Sequence, residues 1–220
     1  MTSRCTNPMV CGSGTATASC DSWMSWWNGE TAALLLERCN PGRALSQSLP
    51  PHQQDLIVSG LLRRLWVVPP PAHPYRPLHT LCDRWADEYE HKRAGGRRGP
   101  RLDPGVARAG IELFRSLPAT SERSVVLFTD LHPHNVLSAE REPWLAIDPK
   151  PYVGDPTYDP LQHMLNFPER LAADPVGFCR RMARLLDLDA ARLGQWLFAR
   201  CVVESVDRPF LERAIMKMAP

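Results

Sequence analysis

Hydrophobic residues recur at helical spacing along most of the chain, and strand-like runs occur only near its middle. Over residues 52–66, Leu56, Ile57, Leu61 and Leu65 would lie on one face of a helix. The same spacing, with capping residues and prolines at the boundaries, predicts further helices at 78–89, 104–117, 156–166, 174–186, 189–206 and from 208 onward. The chain is therefore predicted to be mostly helical.

A short apolar run at residues 124–128 interrupts the helices and predicts a buried strand. Its carboxyl end delivers Asp130 to a loop. Two further runs, 136–137 and 144–147, are joined by a charged turn and predict a β-hairpin. Asp148 follows the second run, so the hairpin is expected to bring Asp148 close to the loop that carries Asp130.

The residues with the clearest chemistry are Asp130, Asn135 and Asp148, which form the pattern D-x4-N followed by a second acid. In kinase-like phosphotransferases the first acid accepts the proton of the attacking hydroxyl, while the amide and the second acid hold Mg²⁺ against the phosphates of ATP. Magnesium prefers hard oxygen ligands and keeps several waters, so two protein ligands suffice. The pattern predicts phosphoryl transfer from ATP with Mg²⁺ as cofactor.

Two longer stretches around these residues resemble a known family. They read Leu-Phe-Thr-Asp-Leu-His-Pro-His-Asn-Val-Leu at 127–137 and Ile-Asp-Pro-Lys-Pro-Tyr-Val-Gly-Asp-Pro-Thr-Tyr-Asp-Pro at 147–160. The chain resembles the aminoglycoside and hydroxyurea phosphotransferase family, in its streptomycin 6-kinase branch. Residues 33–42 are similar to the strand and hinge between the two kinase lobes of that branch, and residues 196–205 are similar to its C-terminal helix.

This resemblance implies an α+β fold: a protein-kinase-like large lobe, mostly helical with a short catalytic β-hairpin, and a truncated small lobe. It divides the chain into a flexible or remnant N-terminal segment at 1–31, a hinge-like strand at 32–40 and the helical lobe at 41–220, with a catalytic loop at 127–148. The implied function is transfer of the γ-phosphoryl of ATP to a hydroxyl of a small-molecule antibiotic, an aminoglycoside such as streptomycin, or hydroxyurea.

The resemblance also implies roles for individual residues. Asp130 becomes the catalytic base, and Asn135 and Asp148 become the magnesium ligands. The adenine would contact the backbone of a short hinge segment, namely Leu36, Glu37, Arg38 and Cys39. Acids near the C-terminal helices would hold a cationic acceptor, namely Asp155, Glu204 and Asp207. The catalytic loop would be supported by His132 and Asp159.

Three positions depart from the wider kinase pattern. Phe128 stands where the superfamily has the His of its H-x-D motif, and Pro149-Lys150 follows the second acid where protein kinases have Phe-Gly. A complete small lobe needs a lysine that pairs with the phosphates, but the first lysine of this chain is Lys92. The only G-x-G, at residues 12–14, is interpreted as part of a flexible leader.

Two other functions remain compatible with the sequence. One is a catalytically weak or inactive truncated kinase, because no small-lobe lysine can be assigned. The other is a metal-dependent phosphohydrolase that uses Asp130, His132, His134 and Asp148. The hinge-like segment argues against the hydrolase, which has no use for an adenine-binding strand.

Composition and charge narrow the classes of partner. Among 220 residues, 44% are hydrophobic and 23% are charged, and the net charge of +2 is too small to indicate nucleic acid or a membrane surface. The seven cysteines are scattered without a C-x-x-C pair, which argues against a disulfide framework. Residues 1–30 lack the apolar core of a signal peptide. We expect a cytoplasmic monomer or weak dimer whose partner is a small-molecule substrate.

Overall fold

The computed structural model describes residues 18–20, 22–27, 32–96, 99–100 and 102–219. Within these ranges the helices are α1 (Leu45–Ser48), α2 (Pro51–Leu65), α3 (Leu78–Ala94), α4 (Pro104–Ser116), α5 (Leu161–Leu165), α6 (Pro168–Ala173), α7 (Pro175–Leu186), α8 (Ala190–Glu204) and α9 (Glu212–Met218). None of these helices has the length and apolar composition that a bilayer crossing requires. The described part of the chain is mostly helical, as the hydrophobic pattern predicts.

The strands are short and form three small sheets. They are β1 (Ser22–Trp27), β2 (Ala32–Leu36), β3 (Arg76–Pro77), β4 (Val125–Leu127), β5 (Val136–Ser138), β6 (Trp144–Ala146) and β7 (Tyr152–Gly154). Strand β7 lies between β3, to which it is parallel, and β4, to which it is antiparallel. The predicted buried strand and the predicted hairpin are both confirmed, as β4 and as the antiparallel pair β5–β6.

Both outer edges of the β5–β6 hairpin are covered by chain from the N-terminal part. On the β6 side, Ser19 bridges to Ala146, and on the β5 side Ala44 bridges to Leu137. Backbone hydrogen bonds of 2.9 Å join Ala146 to Ala18 and to Cys20. The hairpin therefore has backbone partners on each side, which fixes its position against the helices.

The N-terminal segment contains a strand that the sequence pattern does not predict. Strand β1 pairs antiparallel with β2, in a register that places Trp27 opposite Ala32. The predicted hinge-like strand at 32–40 is regular only as β2, and residues 37–40 have no regular secondary structure. The G-x-G at residues 12–14 lies outside the described residues.

The centre of the core is the crossing of α4 and α8. Gly110 of α4 lies so close to Val202 of α8 that a Cβ at position 110 would come within 2.6 Å of the valine side chain. Beside this crossing the rings of Phe114 and Trp196 meet edge to face at 6.0 Å, and Tyr158 lies 5.1 Å from Trp196. Edge-to-face aromatic pairs add to the stability that burial of the rings provides.

A second group of contacts joins helix α2 to helices α5, α6 and α7. The carboxylate of Asp55 is completely buried and accepts two hydrogen bonds from Arg170, at 2.9 and 2.8 Å. Arg181 Nε lies 2.6 Å from the same carboxylate, and His163 Nε2 lies 2.9 Å from it. Burial by itself would raise the pKa of Asp55, but these partners hold the pKa well below its usual range. Asp55 is therefore ionised inside the protein and connects four helices.

Candidate active site

The backbone just before Asp130 is held by a buried acid. The carboxylate of Asp159 accepts hydrogen bonds from the backbone N–H of Phe128 at 3.0 Å and of Thr129 at 2.6 Å. It also accepts one from the indole N–H of Trp66 at 2.9 Å. Burial raises the pKa of Asp159 to about 6, although the three hydrogen bonds act in the opposite direction. These bonds fix the end of β4 and so the direction in which Asp130 leaves it.

Two residues of the site have left-handed backbone conformations. Thr129 and Asp148 both have φ of 59°, a region that residues with a side chain rarely occupy. The Thr129 hydroxyl donates to the carbonyl of Lys150, and the N–H of Lys150 donates to the carbonyl of Phe128 at 3.0 Å. The loop of Asp130 and the loop of Asp148 are thereby joined side by side.

The hairpin brings the two predicted metal ligands to the same loop. The side-chain amide of Asn135 donates to the carbonyl of Asp130 at 3.1 Å, which leaves its oxygen Oδ1 for another partner. The N–H of Ile147 donates to the carbonyl of Asn135 at 2.9 Å, so Asp148 directly follows a residue paired with Asn135. The Asp148 side chain is 63% exposed. One amide oxygen and one accessible carboxylate are a donor set that fits Mg²⁺.

Lys150 joins the two acids of the site. Its Nζ donates a hydrogen bond to Asp130 Oδ2 and lies 3.6 Å from Asp148 Oδ2. The hydrogen bond to Asp130 raises the pKa of Lys150. From the sequence, Lys150 is only a departure from the kinase pattern, with no predicted role. The position of Lys150, two residues after Asp148, is the sequence signal that could have identified this contact.

The two histidines of the loop have different surroundings. His132 Nε2 lies 3.8 Å from Asp130 Oδ1, and burial lowers the pKa of His132 while the Asp130 charge acts to raise it. His134 Nδ1 lies 3.1 Å from the hydroxyl of Ser46. Among the described residues, no group of three His, Cys, Asp or Glu side chains is arranged to hold a metal ion. The two histidines therefore contact different residues and do not converge on one metal position.

A cavity of about 580 Å³ opens beside Asp130 and is called here the Asp130 cavity. Its wall includes Glu204 and Asp207, two of the acids that the family resemblance assigns to the acceptor. The third, Asp155, is not in the wall that the described residues form. It is buried, and its carboxylate accepts hydrogen bonds of 2.7 Å from both Arg192 and Trp196. The fold thus places two of these three acids beside the same cavity as Asp130.

The hinge-like segment lies beside the turn of the β5–β6 hairpin. The carboxylate of Glu37 pairs with the guanidinium of Arg141, with a closest distance of 2.7 Å, and the same guanidinium donates to the carbonyl of Ser19 at 3.0 Å. The carbonyl of Glu37 accepts a hydrogen bond from the Cys20 thiol at 2.8 Å. Leu36, Arg38 and Cys39, the other residues assigned to adenine, continue this segment, and none of them lines the Asp130 cavity. The segment assigned to adenine is therefore not part of the Asp130 cavity.

Comparison with known proteins decides the family. A sequence profile described as aminoglycoside/hydroxyurea antibiotic resistance kinase matches residues 21–208. The chain belongs to this family. The streptomycin 6-kinase of Streptomyces griseus is 36% identical over 182 residues, which cover 78% of this chain and 56% of the relative. The hydroxyurea phosphotransferase of Kitasatospora aureofaciens is 35% identical over 189 residues, covering 80% and 51%. The chain spans just over half the length of these two relatives.

Solved structures show the same fold. Choline kinase LicA from Streptococcus pneumoniae superposes with a TM-score of 0.56 at 12% identity, covering 91% of this chain and 71% of that one. The GDP complex of aminoglycoside 2'-phosphotransferase-IIIa also gives a TM-score of 0.56, at 14% identity, with coverage of 96% and 76%. At these identities the likeness shows the fold alone. The protein-kinase-like fold predicted for this member of the antibiotic resistance kinase family is confirmed.

Proposed function

We propose that this chain transfers the γ-phosphoryl group of ATP to a hydroxyl of a small molecule, with Mg²⁺ as cofactor. The observation that carries the proposal is the position of Asp130, which lines a ligand-sized cavity and adjoins the hairpin of Asn135 and Asp148. A base beside the acceptor and a metal-binding pair beside the nucleotide are the two requirements of in-line phosphoryl transfer.

Asp130 acts as the base in this proposal. One oxygen of its carboxylate is hydrogen-bonded to Lys150, and the other lies 3.8 Å from His132 Nε2. The carboxylate side chain is 18% exposed, so an acceptor hydroxyl in the cavity can reach it. As the hydroxyl oxygen bonds to the γ-phosphorus, the bond between that phosphorus and the bridging oxygen breaks, ADP leaves, and the hydroxyl proton passes to Asp130. The backbone hydrogen bonds at Asp159 hold the loop in place, so that positioning supplies much of the rate.

The metal would be held by Asn135 Oδ1 and by the Asp148 carboxylate, with water and phosphate oxygens as the other ligands. When bound, Mg²⁺ neutralises charge on the transferring phosphoryl group and on the leaving diphosphate. Both side chains belong to the β5–β6 hairpin or to the residues that flank it. The hairpin pairing keeps the two ligands together when the nucleotide leaves.

Lys150 supplies a cation from the large lobe. The Lys150 side chain is 58% exposed and contacts both catalytic acids, so its ammonium can turn from the acids to the phosphates. A preorganised cation beside the developing charge lowers the barrier to transfer.

The test is transfer of labelled γ-phosphate from Mg·ATP to streptomycin and to hydroxyurea, the acceptors that the names of the relatives suggest. Wild type is compared with Asp130→Asn and with a control acid, Asp187→Asn. Asp187 is exposed and has φ of 57°, a conformation that Asn tolerates well. We expect Asp130→Asn to lose transfer by several orders of magnitude and Asp187→Asn to keep it.

Three other results would each contradict part of the proposed function. If the chain neither binds ATP nor transfers phosphate, it is a catalytically inactive kinase lobe. If it releases phosphate from phosphoesters without an acceptor and needs Zn²⁺ or Mn²⁺, the phosphohydrolase alternative is correct. If Asp130→Asn keeps full activity, Asp130 is not the base.

A further inference from the structure

Two consecutive side chains in the turn between β5 and β6 contact the hinge-like segment. The guanidinium of Arg141 donates to both oxygens of the Glu37 carboxylate, with Nε–oxygen distances of 3.1 and 3.2 Å and a closest contact of 2.7 Å. The neighbouring carboxylate of Glu140 accepts a hydrogen bond of 2.6 Å from the side-chain amide of Asn40. These two turn residues therefore contact both ends of the stretch 37–40.

The stretch 37–40 has no regular secondary structure, so contacts with other parts of the chain must fix its conformation. Its first carbonyl, that of Glu37, accepts a hydrogen bond from the Cys20 thiol at 2.8 Å. Just beyond its end, the N–H of Gly42 donates to the carbonyl of Ser138 in β5 at 3.0 Å. Each of these partners belongs to the β5–β6 hairpin or to residues 18–20, which pair with it. The position of the stretch therefore depends on the hairpin.

The other end of the same hairpin carries the proposed metal ligands. Asn135 directly precedes β5, and Asp148 lies two residues after β6. Each strand has three residues, which corresponds to a length of about 10 Å at roughly 3.3 Å per residue. One short hairpin thus joins the segment assigned to adenine to the ligands proposed for Mg²⁺.

The pair of Arg141 and Glu37 has the geometry of a strong contact. Bidentate pairs of a guanidinium and a carboxylate fix direction as well as distance. The Glu37 side chain is 13% exposed and the Arg141 side chain 31%, so water screens this pair less than the fully exposed pairs that contribute little. The same guanidinium donates to the carbonyl of Ser19 at 3.0 Å. Arg141 therefore joins the hairpin, the hinge-like segment and residues 18–20 at one point.

A second ion pair of the same turn provides a comparison. The carboxylate of Glu142 accepts hydrogen bonds from Arg64 at 3.0 and 3.3 Å. The two side chains are 21% and 41% exposed, similar to those of the first pair. Arg64 belongs to helix α2, which contains none of the residues assigned to adenine. The two pairs are alike in chemistry and differ in the element that they join to the turn.

We propose that Arg141 is a positioning residue for the nucleotide: through Glu37 it fixes the segment assigned to adenine relative to Asn135 and Asp148. Without this pair, the stretch 37–40 adopts its binding conformation in a smaller fraction of molecules, and the apparent affinity for nucleotide falls by that fraction. The inference rests on the proposed function for the existence of a nucleotide site. It concerns binding, so it can be tested whether or not transfer follows.

The test measures binding of two probes by calorimetric titration, Mg·ADP and Mg·diphosphate. ADP uses both the segment assigned to adenine and the metal ligands, whereas diphosphate uses only the metal end of the site. We expect Arg141→Gln to weaken the binding of ADP by about tenfold and the binding of diphosphate by less than about twofold. Damage to the whole hairpin would weaken both probes by the same factor.

Variants assign the effect to the ion pair itself. The matched control Arg64→Gln removes a similar pair from the same turn and should leave the affinity for both probes unchanged. Arg141→Lys keeps the charge but not the bidentate geometry, so it should recover part of the affinity for ADP. The double variant Glu37→Arg with Arg141→Glu restores a pair of reversed polarity. It should bind ADP more tightly than Arg141→Glu alone, as a double-mutant cycle measures.

The inference is overturned if Arg141→Gln binds ADP as the wild type does, if both probes weaken equally, or if Arg64→Gln weakens ADP to the same extent. If the wild type binds neither probe, the inference and the proposed function are both wrong. Transfer of labelled phosphate to streptomycin and hydroxyurea is measured on the same preparations. Binding of ADP that depends on Arg141, without transfer, supports the inference and contradicts the proposed function. Transfer with an affinity for ADP that is independent of Arg141 supports the proposed function and contradicts the inference.

Discussion

The Nζ atom of Lys150 donates a hydrogen bond to Oδ2 of Asp130. The same ammonium lies 3.6 Å from Asp148 Oδ2, so one cation contacts both the proposed base and a proposed metal ligand. Opposite charges attract, so the Lys150 ammonium holds the Asp130 and Asp148 side chains near one another.

Replacing Lys150 with Met should lower kcat by about 10²-fold or more, the usual loss when one electrostatic donor is removed from an active site. The melting temperature should hardly change, because the Lys150 side chain is 58% exposed and exposed ion pairs contribute little to stability. Steady-state kinetics with ATP and thermal denaturation of the same preparations measure the two effects.

The conservative variant Lys150→Arg is the control for charge. It should recover part of kcat, because a guanidinium also reaches carboxylates and phosphates, although with a different geometry. If the Met variant keeps full activity, the ammonium contributes nothing to transfer and Lys150 is only a surface contact.

Asp159→Asn should reduce kcat by roughly 10–100-fold, since displacement of catalytic groups by about 1 Å has effects of that size. An amide offers one oxygen where the carboxylate accepts from Phe128, Thr129 and Trp66. The KM for the nucleotide should change much less than kcat. Kinetics are measured well below the melting temperature of the variant, so that a lower kcat reports displacement of Asp130 and not unfolding. If kcat is unchanged and only the melting temperature falls, Asp159 contributes to stability alone.

Gly110→Ala should destabilise the protein by about 1–3 kcal/mol, the usual cost of overpacking a core. The added methyl would come within 2.6 Å of Val202 at the crossing of α4 and α8. Gly60→Ala is the matched control, because Gly60 lies inside helix α2 with no atom within 4 Å of the added methyl. That variant should be more stable by about 0.5–1 kcal/mol through its higher helix propensity. Urea denaturation of both variants compares the two free energies of unfolding.

Asp55 should make stability depend on pH in the acid range. Its pKa in the folded protein is well below the value of about 3.9 expected in the unfolded chain. The contribution of Asp55 to the free energy of unfolding is therefore fully present above about pH 5. It is lost as the pH falls towards the pKa that Asp55 has in the folded protein. Asp55→Asn should cost about 3 kcal/mol at pH 7, since it removes one member of a buried ion pair.

Denaturation of the wild type and of Asp55→Asn between pH 3 and pH 7 tests the direction of this pH dependence. The difference in the free energy of unfolding should be largest at pH 7 and should shrink on acidification. A difference that grows as the pH falls would show that Asp55 is protonated in the folded protein.

The sequence predicts those parts of the fold that depend on local pattern. Helices α2 and α4 follow from apolar residues at helical spacing, and the β5–β6 hairpin follows from two apolar runs around a charged turn. The loop with Asp130 could be located because β4 is short, apolar and buried along its whole length. Local pattern is therefore sufficient to place the proposed base and the proposed metal ligands in one region.

Contacts between distant parts of the chain could not be predicted. The bond from Trp66 to Asp159 and the cluster around Asp55 join residues about a hundred positions apart, and no local signal marks them. The contact of Lys150 with Asp130 depends on the left-handed backbone at Thr129 and Asp148, a conformation that the sequence gives no reason to expect. Such strained positions persist only where the surrounding structure holds them.

The outer edge of strand β6 is paired with residues 18–20, where Ala146 exchanges backbone hydrogen bonds with Ala18 and Cys20. This short stretch supplies the backbone partner for the strand that leads to Asp148. An expression clone that starts after Cys20 would leave N–H and C=O groups of Ala146 unpaired. Exposed strand edges pair with strands of other chains, so such a clone should aggregate through the edge of β6.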